Sequence, residues 1–232
     1  MSLLYGINDI DQSVTLFLNG SDSLFMDNLM IVITNTLSWS LLIISLIYLL
    51  FKNNSTKDTI IILLSIGIMI FVADRICSGL VKPTVARWRP SQDPHIMYIV
   101  DIVRNYRGGR FGFFSGHACN TLCVAMFFSL LFSNKKLSIV LFFWSITTTF
   151  TRLYLGVHYF GDVLVGWIVG FIIGFLFYKL YIRLFNKKNQ THRISEQYTK
   201  TGYKKTDINF FIATVIFNYI ILILISLTIG IK

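Results

Sequence analysis

Residues 59–90 read TIIILLSIGIMIFVADRICSGLVKPTVARWRP, and the uncharged first half of that stretch decides the fold. A helix of about 20 apolar residues crosses the roughly 30 Å of hydrocarbon in a bilayer. Comparable runs occur near 28–51, 58–80, 115–133, 137–156, 159–181 and 208–231. The alternating pattern of a transmembrane barrel is absent, and a lone strand cannot satisfy its backbone in lipid, so the spans are helices. Composition agrees: 54% of residues are apolar, 14% are charged and the mean hydropathy is +0.65, against about 25% charged for a soluble domain. The expected fold is all-α, an integral membrane bundle of about six transmembrane helices forming one domain over 1–232. A soluble enzyme is excluded.

Outside the spans the chain is unevenly charged. The first basic residue is Lys52, so the N-terminal segment lacks the basic start of a cleavable signal peptide and is expected to be retained. Residues 1–22 place Ile7, Ile10, Val14, Leu16 and Phe17 roughly opposite Asn8, Asp9 and Asp11, the pattern of a short interfacial helix. Six spans put the 81–114 connection on one face and the loops 52–57, 134–136 and 186–207 on the other. That second side carries 12 of the 21 Lys and Arg, with the short loops that weigh most in orientation, so 81–114 is placed outside the cytoplasm. The net charge of +10 sits between spans, where anionic lipid is the nearer partner, and a nucleic-acid function is set aside. Segment 186–207, with six Lys or Arg and His192, reads as a basic cytoplasmic loop with no fold of its own. Cys77, Cys119 and Cys123 are too few and too apolar in setting for a disulfide framework and read as packing residues.

Ionisable residues are kept near hydrocarbon where they pair or work, and here they gather at three span ends on one face. The first group is Lys82 to Arg89-Pro90, the second Ser115-Gly116-His117, and the third Arg152 with His158 and Asp162. Three cations, two imidazoles, one carboxylate and a Ser-Gly at a helix start suit a phosphoryl group. Lys82, Arg89 and Arg152 bind phosphate oxygens, while free N–H groups and the dipole at the Ser115-Gly116 helix start favour an anion. His158 and Asp162 stand four apart on one helical face, so the carboxylate orients the imidazole for nucleophilic attack and leaves His117 to act as acid and then base. Taken singly, each of these residues is explained as an anchor or packing residue; six together are not. No metal-ligand spacing accompanies them and three cations repel a divalent ion, so neither metal nor other cofactor is expected.

In these residues the chain resembles the type 2 phosphatidic acid phosphatases, which share their site with vanadium haloperoxidases and bacterial acid phosphatases. The family's Lys, six residues, Arg-Pro is matched by Lys82 to Arg89-Pro90. Its Pro-Ser-Gly-His is matched at Ser115-Gly116-His117 with Phe114 in place of Pro. Its Ser-Arg, five residues, His, three residues, Asp is matched at Arg152, His158 and Asp162 with Thr151 in place of Ser. The two exchanges touch no catalytic proton or charge and bear on loop geometry and substrate fit. The resemblance implies metal-free hydrolysis of a lipid phosphate monoester or diphosphate through a phosphohistidine, at the outer face of the inner membrane. Undecaprenyl diphosphate, phosphatidylglycerol phosphate or a lipid A phosphate is the implied substrate. Two alternatives stay open: a lipid phosphotransferase with the same site, and a protein that binds or moves anionic lipid without turnover. Arg104, Arg107 and Arg110 with Tyr106 could close over a charged headgroup. Gly166, Gly170 and Gly174 form a stripe explained by close packing within the chain, and the oligomeric state is left open.

Overall fold

The computed structural model describes residues 2–185 and 196–229, and most of them lie in helices. The order is α1 (Ser2–Leu18), α2 (Leu24–Thr34), α3 (Ser40–Asn53), α4 (Thr56–Asp74), α5 (Lys82–Val85), α6 (Gly116–Phe132), α7 (Lys135–Tyr154), α8 (Phe160–Phe185) and α9 (Lys205–Thr228). By length and composition five helical stretches are able to cross a membrane: Thr36–Asn53, Thr56–Val85, Lys135–Tyr154, Phe160–Phe185 and Lys205–Thr228. The expected 115–133 span is the shorter α6, 17 residues long, at the centre of the bundle. Side-chain oxygens start the helices where the sequence supplies them. Ser23, Ser55, Ser115 and Asn134 each accept a first-turn N–H of the helix that follows.

Two expectations need revision. The apolar run 28–51 is not one helix: it breaks at Asn35, whose extended backbone separates α2 from a 3₁₀ turn at Thr36–Trp39. Asn35 Oδ1 accepts Leu37 N–H and restarts the chain, because an Asn side chain satisfies donors that a continuous helix would otherwise use. The amphipathic reading of α1 holds: Ile10 and Phe17 face away from the protein, 66% and 87% exposed, while Asp11 turns inward. In the 186–207 loop, His192 lies outside the described residues, but 197–205 folds into a turn in which Thr199 N donates to Tyr203 O and Lys205 N to Gln197 O. Tyr203 is buried against Phe132 there and donates its hydroxyl to Asn54 Oδ1.

The longest helix seam joins α6 to α8. A Cβ on Gly166, Gly170 or Gly174 would come within 2.7 Å of the carbonyl oxygens of Ser115, Cys119 and Cys123 respectively. The glycine stripe therefore packs α8 onto the backbone of α6, an approach that only small residues permit. Cys77, Cys119 and Cys123 are free thiols buried in this interior. The seam fixes the first turns of α6 and α8 side by side, and those turns carry two of the three polar groups.

Candidate active site

Between α5 and α6 the chain leaves the bundle, and its path places the first two cations. Ala86 adopts a left-handed conformation and ends α5. Arg87-Trp88-Arg89 then pairs with Arg110–Gly112: Gly112 N donates to Arg87 O and Arg89 N to Arg110 O. In such an extended segment alternate residues share a face. Arg87 and Arg89 accordingly point to α8, while Trp88 points away beneath the Arg110 guanidinium, 4.5 Å from its ring.

Arg89 is almost fully buried and donates Nε–H to Phe111 O and Nη1–H to Val157 O, with Nη1 also 3.5 Å from His158 Nε2. Burial and the neighbouring Arg152 pull its pKa down to about 10, so it stays a cation at neutral pH. Arg152, from the last turn of α7, is 3% exposed and donates from Nη1 to Thr34 Oγ1 (2.6 Å) and to Tyr106 OH (3.0 Å). Its Nε–H is buried without a partner among the described residues. Thr151, the residue in place of the family's Ser, donates to Thr148 O and Thr34 Oγ1, so its hydroxyl locks the shelf on which Arg152 rests. Lys82 reaches the start of α6, where a Cβ on Gly116 would lie 3.9 Å from its Nζ.

His158 and Asp162 stand at the α7–α8 turn, both buried. His158 Nδ1 is 3.4 Å from Asp162 Oδ2, which also accepts Tyr159 N–H at 3.0 Å. The other carboxylate oxygen accepts Arg87 Nη1–H at 2.8 Å. Burial first, then Arg89, Arg152, Lys82 and His117, hold the His158 imidazole well below its ordinary pKa. The ring is therefore neutral, with Nε2 directed toward Arg89. Gly112 is packed so tightly against this group that any side chain there would meet Asp162, Arg89 and His158.

Ser115 differs from expectation in one respect. Its N–H donates to Asp162 O at 2.9 Å and its Oγ accepts Ala118 N–H, because the Gly166 contact brings the two helix starts together. The hydroxyl hydrogen and the N–H groups of Gly116 and His117 are what remain for an anion; among the described residues neither N–H has an acceptor. The eight residues selected from sequence thus cluster at one end of the bundle, linked by the contacts above. Two further residues complete their support and escaped the sequence reading. Arg87 could have been found from its parity with Arg89 in an extended segment, whereas nothing in the sequence links Asp11 to a position 150 residues away. Arg104 and Arg107 do not close over the pocket: Arg104 donates to Asn28 Oδ1 and Arg107 to Ser91 O, building the loop instead.

Beneath His117 an apolar cavity of about 430 Å³ runs between α3, α4, α6 and α7, lined among others by Trp39, Leu46, Leu63, Val124 and Trp144. Among the described residues no three His, Cys, Asp or Glu side chains are grouped as metal ligands. What the arrangement offers is positive: among the fixed charges, Lys82, Arg87, Arg89 and Arg152 against Asp11 and Asp162 leave two positive charges unbalanced.

Known proteins resemble this chain in sequence and in fold. A lipid A 4'-phosphatase of Bacteroides thetaiotaomicron is 40% identical over 161 residues, covering 69% of this chain and 72% of that protein. One from Porphyromonas gingivalis is 33% identical over 162 residues, covering 69% of this chain and 68% of its own. The fold resembles the crystal structure of a transmembrane PAP2-type phosphatidylglycerolphosphate phosphatase from Bacillus subtilis, with a TM-score of 0.59 at 21% identity, over 79% of this chain and 90% of that one. The pattern of the PAP2 superfamily matches residues 58–186, more than half of the chain and all three polar groups. On that match and those relatives, this membrane protein belongs to the PAP2 superfamily.

Proposed function

We propose that the protein is a metal-independent lipid phosphatase that removes a phosphate from lipid A through a phosphohistidine. The observation that carries this reading is the convergence of unpartnered donors, from Arg152 Nε and the N–H groups of Gly116 and His117, beside a buried neutral imidazole. An excess of two positive charges suits a phosphate monoester dianion, and fixed donors of this kind stabilise the charge that spreads over the equatorial oxygens during transfer. The two relatives named lipid A 4'-phosphatase support lipid A over the other lipid phosphates.

In this mechanism the Asp162 carboxylate accepts His158 Nδ1–H and directs the Nε2 lone pair at phosphorus. The N–P bond forms as the bond to the sugar oxygen breaks, and His117, which enters the step as an imidazolium beside the bound dianion, gives that oxygen its proton. Water then attacks the phosphohistidine, losing a proton to His117, and inorganic phosphate leaves with His158 restored. Lys82, Arg89 and Arg152 hold the phosphoryl oxygens throughout. The apolar cavity beside His117 suits acyl chain, which places the phosphate at the polar end and hydrocarbon below it. The excess of Lys and Arg on the opposite loops supports a site on the extracytoplasmic side of the inner membrane.

The test is phosphate release by purified protein in detergent with EDTA present, comparing lipid A, phosphatidylglycerol phosphate and undecaprenyl diphosphate, with His158→Ala as blank. Lipid A well ahead of the others is the expected result. Metal-dependent turnover, or wild-type turnover by His158→Ala, overturns the mechanism; preference for another lipid overturns the substrate.

A further inference from the structure

The N-terminal helix is tied to the residues behind the site through Asp11 and Thr15. Asp11 Oδ2 accepts Arg87 Nη2–H at 2.6 Å, and the other end of the same guanidinium donates to Asp162 Oδ1 at 2.8 Å. Asp11 Oδ1 in turn accepts Gly161 N–H at 2.7 Å, and Thr15 Oγ1, one turn on, accepts Phe160 N–H at 3.0 Å. The first turn of α8 thus has its free N–H groups capped from α1, and the Asp162 carboxylate is held in a chain that runs Asp11, Arg87, Asp162, His158. The Arg87 guanidinium also lies over the Tyr159 ring, 4.0 Å from its centroid, which leaves it one orientation. Asp11 and Arg87 are only 12% and 24% exposed, so the pair is shielded from water and from salt.

From this geometry we propose that Asp11 is a positioning residue for the reaction: it acts through Arg87 on Asp162, and so on the orientation of His158. The inference rests on the phosphatase reading above. The physical reason is charge and direction together. Arg87 is shared between two carboxylates. Without the Asp11 charge, the guanidinium has a single anion to serve and is free to follow it, and Asp162 loses the fixed partner that keeps Oδ2 turned to the imidazole. Asp11 touches neither the pocket nor His158, so its effect belongs in kcat and leaves KM alone.

Asp11→Asn isolates this role, because an amide oxygen still caps Gly161 while the charge facing Arg87 is gone. We expect kcat for lipid A phosphate release to fall roughly tenfold with KM unchanged, the scale on which outer residues that orient a catalytic side chain act. Asp11→Glu should recover part of the loss, and in an Arg87→Gln background Asp11→Asn should cost nothing more, since coupled residues are not additive. Asp9→Asn, an exposed neighbour on the same helix, should match the parent. A second measurement is independent of turnover. The protein has four histidines, so a ¹⁵N-histidine spectrum in detergent, with His158 assigned from His158→Ala, should show the His158 ring resonances moved by Asp11→Asn and unmoved by Asp9→Asn. Unchanged kcat with unmoved His158 resonances overturns the proposal, as does an undiminished effect of Asp11→Asn in the Arg87→Gln background. If the parent protein hydrolyses none of the lipids, the phosphatase reading fails, and the histidine spectrum alone decides whether Asp11 positions His158.

Discussion

A methyl group on Gly112 would sit 2.9 Å from Asp162 Oδ2, 3.3 Å from Arg89 Cγ and 3.5 Å from His158 Nδ1. Three site residues would have to shift for it, and displacement of reacting groups by an ångström costs about 10²-fold in rate. Gly112→Ala is therefore expected to lower kcat by about that factor while the melting temperature changes little; steady-state kinetics with a thermal melt in detergent checks both. His158 makes a prediction about stability. Its pKa is held well below 6.5 in the folded protein by burial and by the surrounding cations, whereas the unfolded chain takes up that proton near 6.5. Stability from this group is complete above pH 6.5 and is lost as the pH falls, at up to about 1.4 kcal/mol per pH unit. The melting temperature should decline from pH 6.5 to pH 5, and His158→Gln should flatten the decline. At this scale the sequence was informative wherever chemistry demanded a residue type, as for Lys82, Arg89, His117 and His158. It was silent on Gly112 and Thr34, whose importance lies in what they touch, and it assigned Tyr106 to a headgroup-closing loop where the structure has it accepting from Arg152.

Between α6 and α8 the same silence has a different origin. The stripe Gly166, Gly170, Gly174 announces a close approach in its spacing, yet only the folded chain reveals that the partner is the α6 backbone at Ser115, Cys119 and Cys123. A Cβ on Gly170 would lie 2.5 Å from Cys119 O, while one on Gly67 in α4 would meet nothing within 4 Å. Gly170→Ala should then destabilise the protein by about 1–3 kcal/mol, as overpacking does, and Gly67→Ala should be neutral or slightly stabilising. Denaturant titration in mixed micelles measures the contrast; equal effects would mean that the seam is not the tight contact described. The break at Asn35 was hidden for a comparable reason. Residues 28–51 are apolar throughout enough of their length to read as one span, and the restart depends on a single Asn side chain. Thr34, freed at that break, becomes the shelf for Arg152.

For the whole molecule, the helix alternation sets the loops at two ends, and the charge on those loops supports the proposed orientation. The end opposite the pocket holds Lys52, Lys57, Lys135, Lys136, Lys179 and Arg183. Because the three native cysteines are buried, single cysteines introduced by Arg110→Cys and Asn134→Cys report orientation directly. An impermeant maleimide added to intact cells should label the first and spare the second; the reverse pattern would invert the topology and put the pocket in the cytoplasm. The unbalanced charge at the pocket has a consequence for the end of each turnover. Arg152 rests on a threonine and a tyrosine hydroxyl, and among the described residues no carboxylate in its contacts stands ready to replace a departing anion. Under the proposed reaction, free phosphate offers the emptied cage the same oxygens as the substrate's headgroup. Turnover should be throttled by its own product, with orthophosphate titrated into the assay raising the apparent KM and added salt relieving the inhibition.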